Sequence, residues 1–254
     1  MRRTTQALTT LITTAALALM VSAVPADAGT ARRLGSFDVA GLWPLNEGTG
    51  QRAYDWSGSG NTGQLGSTAQ TDPQDPAWVA LPRVGWLRRS ALRFDGSQYV
   101  RVANAPSLEP DGLTLAARVR SDGPGAFKYV ASKGALSCET ASYGLYTGSN
   151  GGLQFYVSDG TNFTLSSNAG TAIWDGAWHT AVGVFNGRHV RLFVDGTEVG
   201  ASVPATLAIG YGLPDGQDFL LGDYAGPCGS PLGFIGDIDG AALIGHSDPG
   251  LTAP

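Results

Sequence analysis

The sequence predicts an all-β protein, an antiparallel sandwich built from many short strands. Glycine accounts for 37 of the 254 residues, and charged residues make up only 15% of the chain. Short β-branched and aromatic runs alternate with Gly, Asp, Asn and Pro, a pattern typical of strands joined by tight turns. No long stretch repeats its apolar residues with the 3.6-residue period of a helix.

The N-terminal segment has the pattern of a secretory signal peptide. Arg2 and Arg3 precede an uncharged apolar stretch, residues 8–24, and a small-residue A-x-A pattern follows at residues 26–28. The stretch is too short and too rich in threonine for a membrane span. We therefore expect a secreted, extracellular protein with no membrane span after cleavage, the alternative being a retained N-terminal anchor.

Composition limits the number of domains and the class of partner. The expected segments are a signal peptide (1–28), a flexible leader (29–36), one sandwich domain (37–246) and a tail (247–254). The formal net charge of −5 leaves no basic surface of the kind that nucleic acids require. We therefore expect no nucleic-acid partner.

The clearest strands lie between residues 178 and 199. Alternating apolar residues lead to Asn186-Gly187, which favours a tight hairpin, and the return strand leads to a second such turn at Asp195-Gly196. These turns predict a three-stranded meander. Further strands are expected at residues 39–45, 91–94, 99–102, 113–120, 129–132, 143–146, 153–157, 219–222 and 235–243. Residues 71–87 carry three prolines and are expected to form a loop or an edge strand.

Four stretches, in order, resemble a known family. They are LWPLNEGTGQRAYDWSGSGNTGQL (42–65), ALRFDGSQYVRV (91–102), WHTAVGVFNGRHVRLFVDGTEV (178–199) and GFIGDIDGAALI (233–244). The chain is similar to the bacterial laminin G-like, or concanavalin A-like lectin/glucanase, domains. The resemblance implies a jelly-roll β-sandwich of two curved antiparallel sheets, with a hairpin at Phe94-Asp95-Gly96 and neighbouring first and last strands. Because this fold carries many functions, the site is argued from residues.

The sequence lacks the catalytic pattern of the related glucanases. Glycoside hydrolysis requires two carboxylates, which those enzymes carry on one strand as E-x-D-x-x-E. Only Glu109 has an aspartate two residues on, Asp111, and Thr114 then replaces the second glutamate. We predict that the protein is not an enzyme, although a carboxylate pair from separate loops, such as Glu139 with Asp223, stays open. The three histidines show no triad motif and are expected to be surface or packing residues.

Aromatic residues concentrate between residues 143 and 174. Sugar sites combine aromatic faces with a few polar groups. The candidate carbohydrate-binding residues are Tyr143, Tyr146, Tyr224, Asp223, Lys133 and Trp174. The alternative is that these aromatics are core or ordinary surface residues. Phe155 and Tyr156 point to opposite faces of one strand, so one of them is expected in the core, as are Trp43 and Trp178.

Two cysteines and three aspartates complete the candidate sites. Because an exported chain is oxidised, Cys138 and Cys228 are expected to form a disulfide, with two free thiols as the alternative. The resemblance also implies a structural Ca²⁺, and the candidate ligands are Asp95, Asp239 and Asp55. The alternative is that Asp95 serves its Asp-Gly turn and that Asp239 accepts a backbone hydrogen bond.

These observations favour a secreted carbohydrate-binding module with a polysaccharide or glycan ligand. The first alternative is a cell-surface adhesion module that contacts a protein. The second is a hydrolase or lyase with a non-standard site.

Overall fold

A computed structural model describes residues 37–85, 87–138, 140–228 and 231–246. The expected signal peptide, leader and tail, together with Glu139, lie outside these residues. The described chain folds into two antiparallel sheets that pack face to face around one apolar core. This architecture confirms the predicted jelly-roll β-sandwich.

Sheet A contains nine strands within the described residues. Seven of them follow one another across the sheet in the order β14 (Thr197–Glu198), β13 (His189–Val194), β12 (His179–Phe185), β7 (Gly112–Arg120), β17 (Ile235–His246), β5 (Leu87–Asp95) and β4 (Ala77–Val84). In addition, β1 (Phe37–Trp43) pairs with β17, and β15 (Val203–Pro204) pairs with β13.

Sheet B contains eight strands within the same residues. Their order is β11 (Phe163–Leu165), β10 (Leu153–Ser158), β9 (Tyr143–Thr147), β8 (Tyr129–Ala135), β16 (Gly216–Leu221), β6 (Val100–Val102), β3 (Gly63–Leu65) and β2 (Arg52–Ala53). A 3₁₀ turn at Pro106–Leu108 lies between β6 and β7. No helix in the described part of the chain has the length and hydropathy to cross a membrane.

The long closing strand β17 holds sheet A together. Its second half, from Ala241, pairs with β1 on one side and with β7 on the other. Its first half, from Ile235 to Ile238, pairs with β5 instead of β1. The expectation that the first and last strands of the domain are neighbours is therefore confirmed.

The predicted meander and the predicted edge strand are both present. β12, β13 and β14 pair in succession. Asp195 and Gly196 of the second turn have φ values of 49° and 79°, the left-handed conformation that an Asp-Gly turn tolerates. β4 lies at the edge of sheet A, where the missing N–H of its proline, Pro82, interrupts no ladder between two strands.

The turn at Phe94-Asp95-Gly96 is not a hairpin, so this expectation is wrong. The strand before it, β5, belongs to sheet A, whereas the strand after it, β6, pairs with β3 and β16 of sheet B. The turn therefore carries the chain from one sheet to the other.

The core lies between the sheets and includes Trp43, as expected. Trp43 is fully buried, stacks on Phe219 of sheet B, and donates its indole N–H to the carbonyl of Asn61. Phe155 of β10 also points into this core, and Tyr156 points away from it. The alternation of β10 thus places one aromatic residue inside and the next on the outer face of sheet B.

Candidate functional site

An aromatic cleft lies on the outer face of sheet B, the face turned away from sheet A. We call it the tyrosine cleft. It has a volume of about 320 Å³ and is lined by Phe127, Tyr129, Cys138, Thr140, Tyr146, Tyr156, Phe163, Leu165 and Leu232. The strands β8, β9, β10 and β11 supply most of these side chains.

Strand alternation and one glycine build the floor of the cleft. Gly144 and Tyr146 of β9 face outward, whereas Leu145 between them points into the core. Gly144 pairs directly with Tyr156 of β10. A Cβ on Gly144 would lie 3.2 Å from the ring of Tyr156 and 3.3 Å from the ring of Tyr129. The missing side chain thus lets these two rings approach each other across the sheet.

The tyrosines form one ring cluster. Tyr129 packs 5.4 Å from Tyr146 and 4.9 Å from Tyr224, and Tyr146 meets Tyr156 edge to face at 5.1 Å. The Tyr156 hydroxyl accepts a hydrogen bond from the backbone N–H of Ala141 at 2.8 Å and pairs with the Tyr129 hydroxyl at 3.1 Å. Tight mutual contacts therefore fix the floor in place.

The cleft is electrically neutral. Among the described residues that line it, none carries a charged side chain. Burial raises the pKa of Tyr129, Tyr146 and Tyr156 above the ordinary value of a phenol. These hydroxyls therefore remain protonated at physiological pH and can donate or accept hydrogen bonds. Within the described residues the Tyr146 hydroxyl makes no hydrogen bond, so it is the one most available to a ligand.

Two phenylalanines form an exposed rim. Phe127 is 48% exposed and Phe163 is 56% exposed, high values for such apolar side chains. Phe163 contacts the edge of Tyr156 at 6.3 Å. Phe127 has a φ of 55°, a left-handed conformation that is uncommon for a bulky residue, and its N–H donates to the carbonyl of Thr147. The fold thus holds both rings at the mouth of the cleft.

A disulfide closes one end of the cleft, as predicted. Cys138 and Cys228 are bonded, with their Cα atoms 5.1 Å apart. Tyr224 joins the same two loops, because its hydroxyl lies 2.7 Å from the carbonyl of Thr140 and 3.2 Å from the N–H of Leu136. The disulfide and this tyrosine together fix the loop that supplies the Cys138 and Thr140 side of the cleft.

The six predicted sugar-binding residues divide into two groups. Tyr146 lines the cleft directly. Tyr224 lies beneath it, only 6% exposed, and positions a loop. Asp223 is adjacent, and its carboxylate accepts the N–H of Tyr224 at 2.8 Å. Burial raises the pKa of Asp223 to about 6.

The other three residues belong to the interior, which corrects the expectation that they contact a ligand. Tyr143 is fully buried in the core and donates its hydroxyl proton to the carbonyl of Leu108. Lys133 is 1% exposed, and its ammonium group pairs with Glu109 and with a backbone carbonyl. Trp174 is 8% exposed and packs on Phe234. None of these three side chains has a face open to a saccharide.

The three calcium candidates already have partners within the protein. Asp239 is buried and pairs with Arg89 and Arg118, so positive charge already surrounds its carboxylate. Asp95 lies in an exposed turn, where it accepts hydrogen bonds from its own turn residues. Asp55 accepts four hydrogen bonds from its own loop and β1. Calcium takes six to eight oxygen ligands, backbone carbonyls among them, so a calcium site at these aspartates stays a prediction. Within the described ranges, no three His, Cys, Asp or Glu residues are grouped to hold a metal.

Comparison with known proteins identifies the family. A profile described as "Concanavalin A-like lectin/glucanases superfamily" matches residues 94–246, more than half of the chain. The protein belongs to the concanavalin A-like lectin/glucanases superfamily. No curated protein matches this lectin/glucanase-like chain significantly.

Solved structures share the fold of this superfamily member at low identity. Domain 4 of AbnA, a GH43 extracellular arabinanase from Geobacillus stearothermophilus solved in complex with arabinotriose, has 14% identity and a TM-score of 0.59, with 83% of this chain and 93% of that chain covered. A Trypanosoma rangeli sialidase has 15% identity and a TM-score of 0.53, with 83% and 31% covered. The binding domain of Botulinum neurotoxin DC, in complex with rat synaptotagmin II, has 12% identity and a TM-score of 0.51, with 83% and 49% covered.

Proposed function

We propose that this protein is a carbohydrate-binding module whose ligand lies in the tyrosine cleft. The observation that supports this proposal most strongly is the cleft itself, a neutral aromatic surface with Phe127 and Phe163 exposed at its mouth. Its volume of about 320 Å³ lies at the lower end of the range for small-molecule sites. We also infer that the protein is exported, as the N-terminal segment predicts.

Aromatic rings and phenol hydroxyls suit an uncharged saccharide. The apolar C–H face of a sugar ring packs on an aromatic face, and the neighbouring hydroxyls of the sugar form hydrogen bonds with polar groups of the protein. Here Phe163 and Tyr146 supply the ring surfaces, and the Tyr146 hydroxyl has no partner within the described residues. Because no described lining residue is charged, the expected ligand is a neutral oligosaccharide. The related arabinanase domain, which was solved with the neutral sugar arabinotriose, supports this assignment.

Binding without hydrolysis is the activity that we propose. Glycoside hydrolysis requires a pair of carboxylates at the bond to be cleaved, and no described residue that lines the cleft carries one. The earlier alternative of Glu139 with Asp223 involves a residue outside the described chain. A reducing-sugar assay on polysaccharides that the protein binds tests this point, and we expect no release of sugar.

The test is a glycan array followed by calorimetry on the neutral oligosaccharide that binds best. We expect Phe163→Ala and Tyr146→Ala each to weaken binding about tenfold, since each removes an aromatic contact worth roughly 1–2 kcal/mol. Tyr54→Ala is the matched control, because Tyr54 is 52% exposed and lies outside the cleft. If no saccharide binds at millimolar concentration, or if all three variants weaken binding equally, the proposal fails and the adhesion alternative takes its place.

A further inference from the structure

A second surface with a different chemistry lies on the outer face of sheet A. We call it the arginine face. It consists of Arg89, Arg93, Arg118, Arg120 and Trp178, arranged around Asp237 and Asp239. The apolar core separates this face from the tyrosine cleft, because the two surfaces belong to the outer sides of opposite sheets.

Strand register brings these side chains together. Asp237 of β17 pairs with Arg93 of β5 on one side and with Arg120 of β7 on the other, so the three lie in one row. The β17 ladder then shifts between Ile238 and Ala241, where Gly240 has a φ of 102°. This bulge keeps Asp239 on the outer face while Ala241 returns to the core.

The arginines lie above the carboxylates and carry excess charge. The side chains of Asp237 and Asp239 are only 5% and 6% exposed, whereas those of the four arginines are between 31% and 56% exposed. Four guanidinium groups meet two carboxylates, so this face has a net positive charge although the chain has a formal charge of −5. Neutralising two carboxylates requires only two of these arginines.

Several guanidinium N–H groups stay available. Arg93 donates its Nε–H and one Nη group to Asp237, and Arg89 donates only one Nη group to Asp239. Each guanidinium has five N–H donors in a planar fork. Within the described residues, no acceptor is found for the remaining donors of Arg89 and Arg93. These donors can therefore receive an oxyanion from outside the protein.

Trp178 holds two of the arginines in position. The guanidinium carbons of Arg118 and Arg120 lie 4.8 Å and 4.7 Å from the centre of its ring. Trp178 is a partly buried residue on the outer face of sheet A, which corrects the expectation that it belongs to the core. Cation–π contacts of this kind restrict the arginines before any ligand arrives.

A polar cavity of about 460 Å³ adjoins the arginine face. Arg93, Arg120 and Asp237 form one side. The remaining lining residues are Phe94, Ser121, Asp122, Gly123, Gly176, Ile235 and Gly236. The exposed carboxylate of Asp122 accepts no hydrogen bond within the described residues. Carboxylate and backbone groups beside a cationic surface suit a ligand that carries hydroxyl groups next to an anionic group.

We propose that the arginine face is a second ligand site, which binds the carboxylate or sulfate group of an acidic saccharide. Arg93 takes the oxyanion, and the adjoining cavity takes the neighbouring sugar hydroxyls. Arg89, four residues away on the same strand, takes the anionic group of a neighbouring sugar unit. This site goes beyond the neutral ligand proposed for the tyrosine cleft and does not depend on it. One domain would then hold two chemically different saccharides on opposite faces.

The test is calorimetry of the full domain with polygalacturonate, dextran sulfate and uncharged dextran. The first two probes distinguish carboxylate from sulfate, and dextran reports binding that needs no anion. We expect Arg89→Gln with Arg93→Gln to weaken binding of the preferred polyanion about tenfold or more, since charge-assisted hydrogen bonds are lost. Binding of the original protein should weaken in 0.5 M salt as well, roughly as Debye screening requires.

Arg101→Gln is the matched control, because Arg101 is 48% exposed but lies on sheet B. Thermal unfolding checks that each variant folds. If the double variant does not fold, Arg93→Lys replaces it. Lysine keeps the positive charge but lacks the planar, bidentate guanidinium, so this variant should bind the polyanion about threefold more weakly. Phe163→Ala should leave polyanion binding unchanged, which separates this site from the tyrosine cleft. The proposal is overturned if neither polyanion binds, if the arginine variants bind like the original, or if Arg101→Gln loses as much affinity.

Discussion

The ring of Phe155 fills the space that a side chain at Gly183 would need. Phe155 lies on β10 of sheet B and Gly183 on β12 of sheet A, and a Cβ on Gly183 would lie 2.2 Å from Cγ of Phe155. Since Tyr156 follows Phe155 on the same strand, this contact across the sandwich also anchors the strand that carries the floor of the tyrosine cleft.

Gly183→Ala is expected to destabilise the fold by overpacking. We expect the free energy of unfolding to fall by about 1–3 kcal/mol, as measured by urea denaturation. Adding Phe155→Leu should recover part of this loss, because a smaller side chain frees the space. A double variant whose loss equals the sum of the two single losses would contradict the proposed contact.

Two tyrosine-to-phenylalanine changes should separate stability from binding. Tyr156→Phe leaves the buried N–H of Ala141 without its acceptor, so the free energy of unfolding should fall by about 1–3 kcal/mol. Tyr146→Phe removes a hydroxyl with no partner in the described chain and should change stability by less than about 0.5 kcal/mol. Chemical denaturation of both variants checks this; equal losses would show that the Tyr146 hydroxyl is engaged.

The disulfide should contribute a large part of the stability. Cys138 and Cys228 are 90 residues apart in sequence, and a loop of that length is worth about 4 kcal/mol in the chain-entropy account. Replacing both cysteines by serine should lower the unfolding free energy by about this amount. It should also weaken saccharide binding, because Cys138 and Thr140 line the cleft. The control is the intact mass of the original protein without reductant, which must show that the protein contains no free thiol.

Asp239 should stabilise the fold through arginine pairing and not through calcium. Asp239→Asn leaves Arg89 and Arg118 without their carboxylate, and we expect a loss of about 1 kcal/mol, because burial raises the pKa of this carboxyl and so offsets part of the pairing. This is less than a buried pair would give, since both guanidiniums are about one-third exposed and water screens them. Thermal unfolding in calcium and in chelator should show the same loss. A loss seen only in calcium would restore Asp239 as a metal ligand.

Sequence patterns predicted the architecture well because strands have a simple period. Apolar alternation and the two turns at residues 186–187 and 195–196 identified the meander. The turn at residues 94–96 was misassigned, because a turn sequence specifies a local bend and not which sheet receives the next strand. The short strands β2, β3, β11 and β15 carry too few residues to show any alternation.

The candidate site is only partly predictable from the alternation of side chains along a strand. Tyr143 and Tyr146 are three residues apart on one strand, so they must face opposite sides, and only Tyr146 lines the cleft. Lys133 was harder to place, since a register shift after Tyr129 changes which side the following residues face. The rim residue Phe127 gave no signal, because its left-handed conformation depends on tertiary contacts and not on its own type.

Asp223 should make the fold more stable at mildly acidic pH. Burial raises the pKa of its carboxyl from 3.8 to about 6, so the folded state favours the protonated form. The stability it contributes is fully present below the unfolded pKa, near 4, and is lost as the pH rises through about 6. Lowering the pH from 7 to 5 should therefore recover about 1 kcal/mol from this group.

Asp223→Asn isolates that contribution. Asparagine keeps an oxygen for the N–H of Tyr224 but carries no charge, so the penalty for burying a carboxylate disappears. The variant should exceed the original in unfolding free energy by about 2 kcal/mol at pH 7, and the two should converge below pH 4. Urea denaturation at pH 4, 5, 6 and 7 gives the unfolding free energy of both proteins. Subtracting one from the other removes the contribution of the histidines, which titrate in both proteins. A difference that does not change across this range would show that the carboxyl of Asp223 has the same pKa in the folded and unfolded protein, and would contradict this prediction.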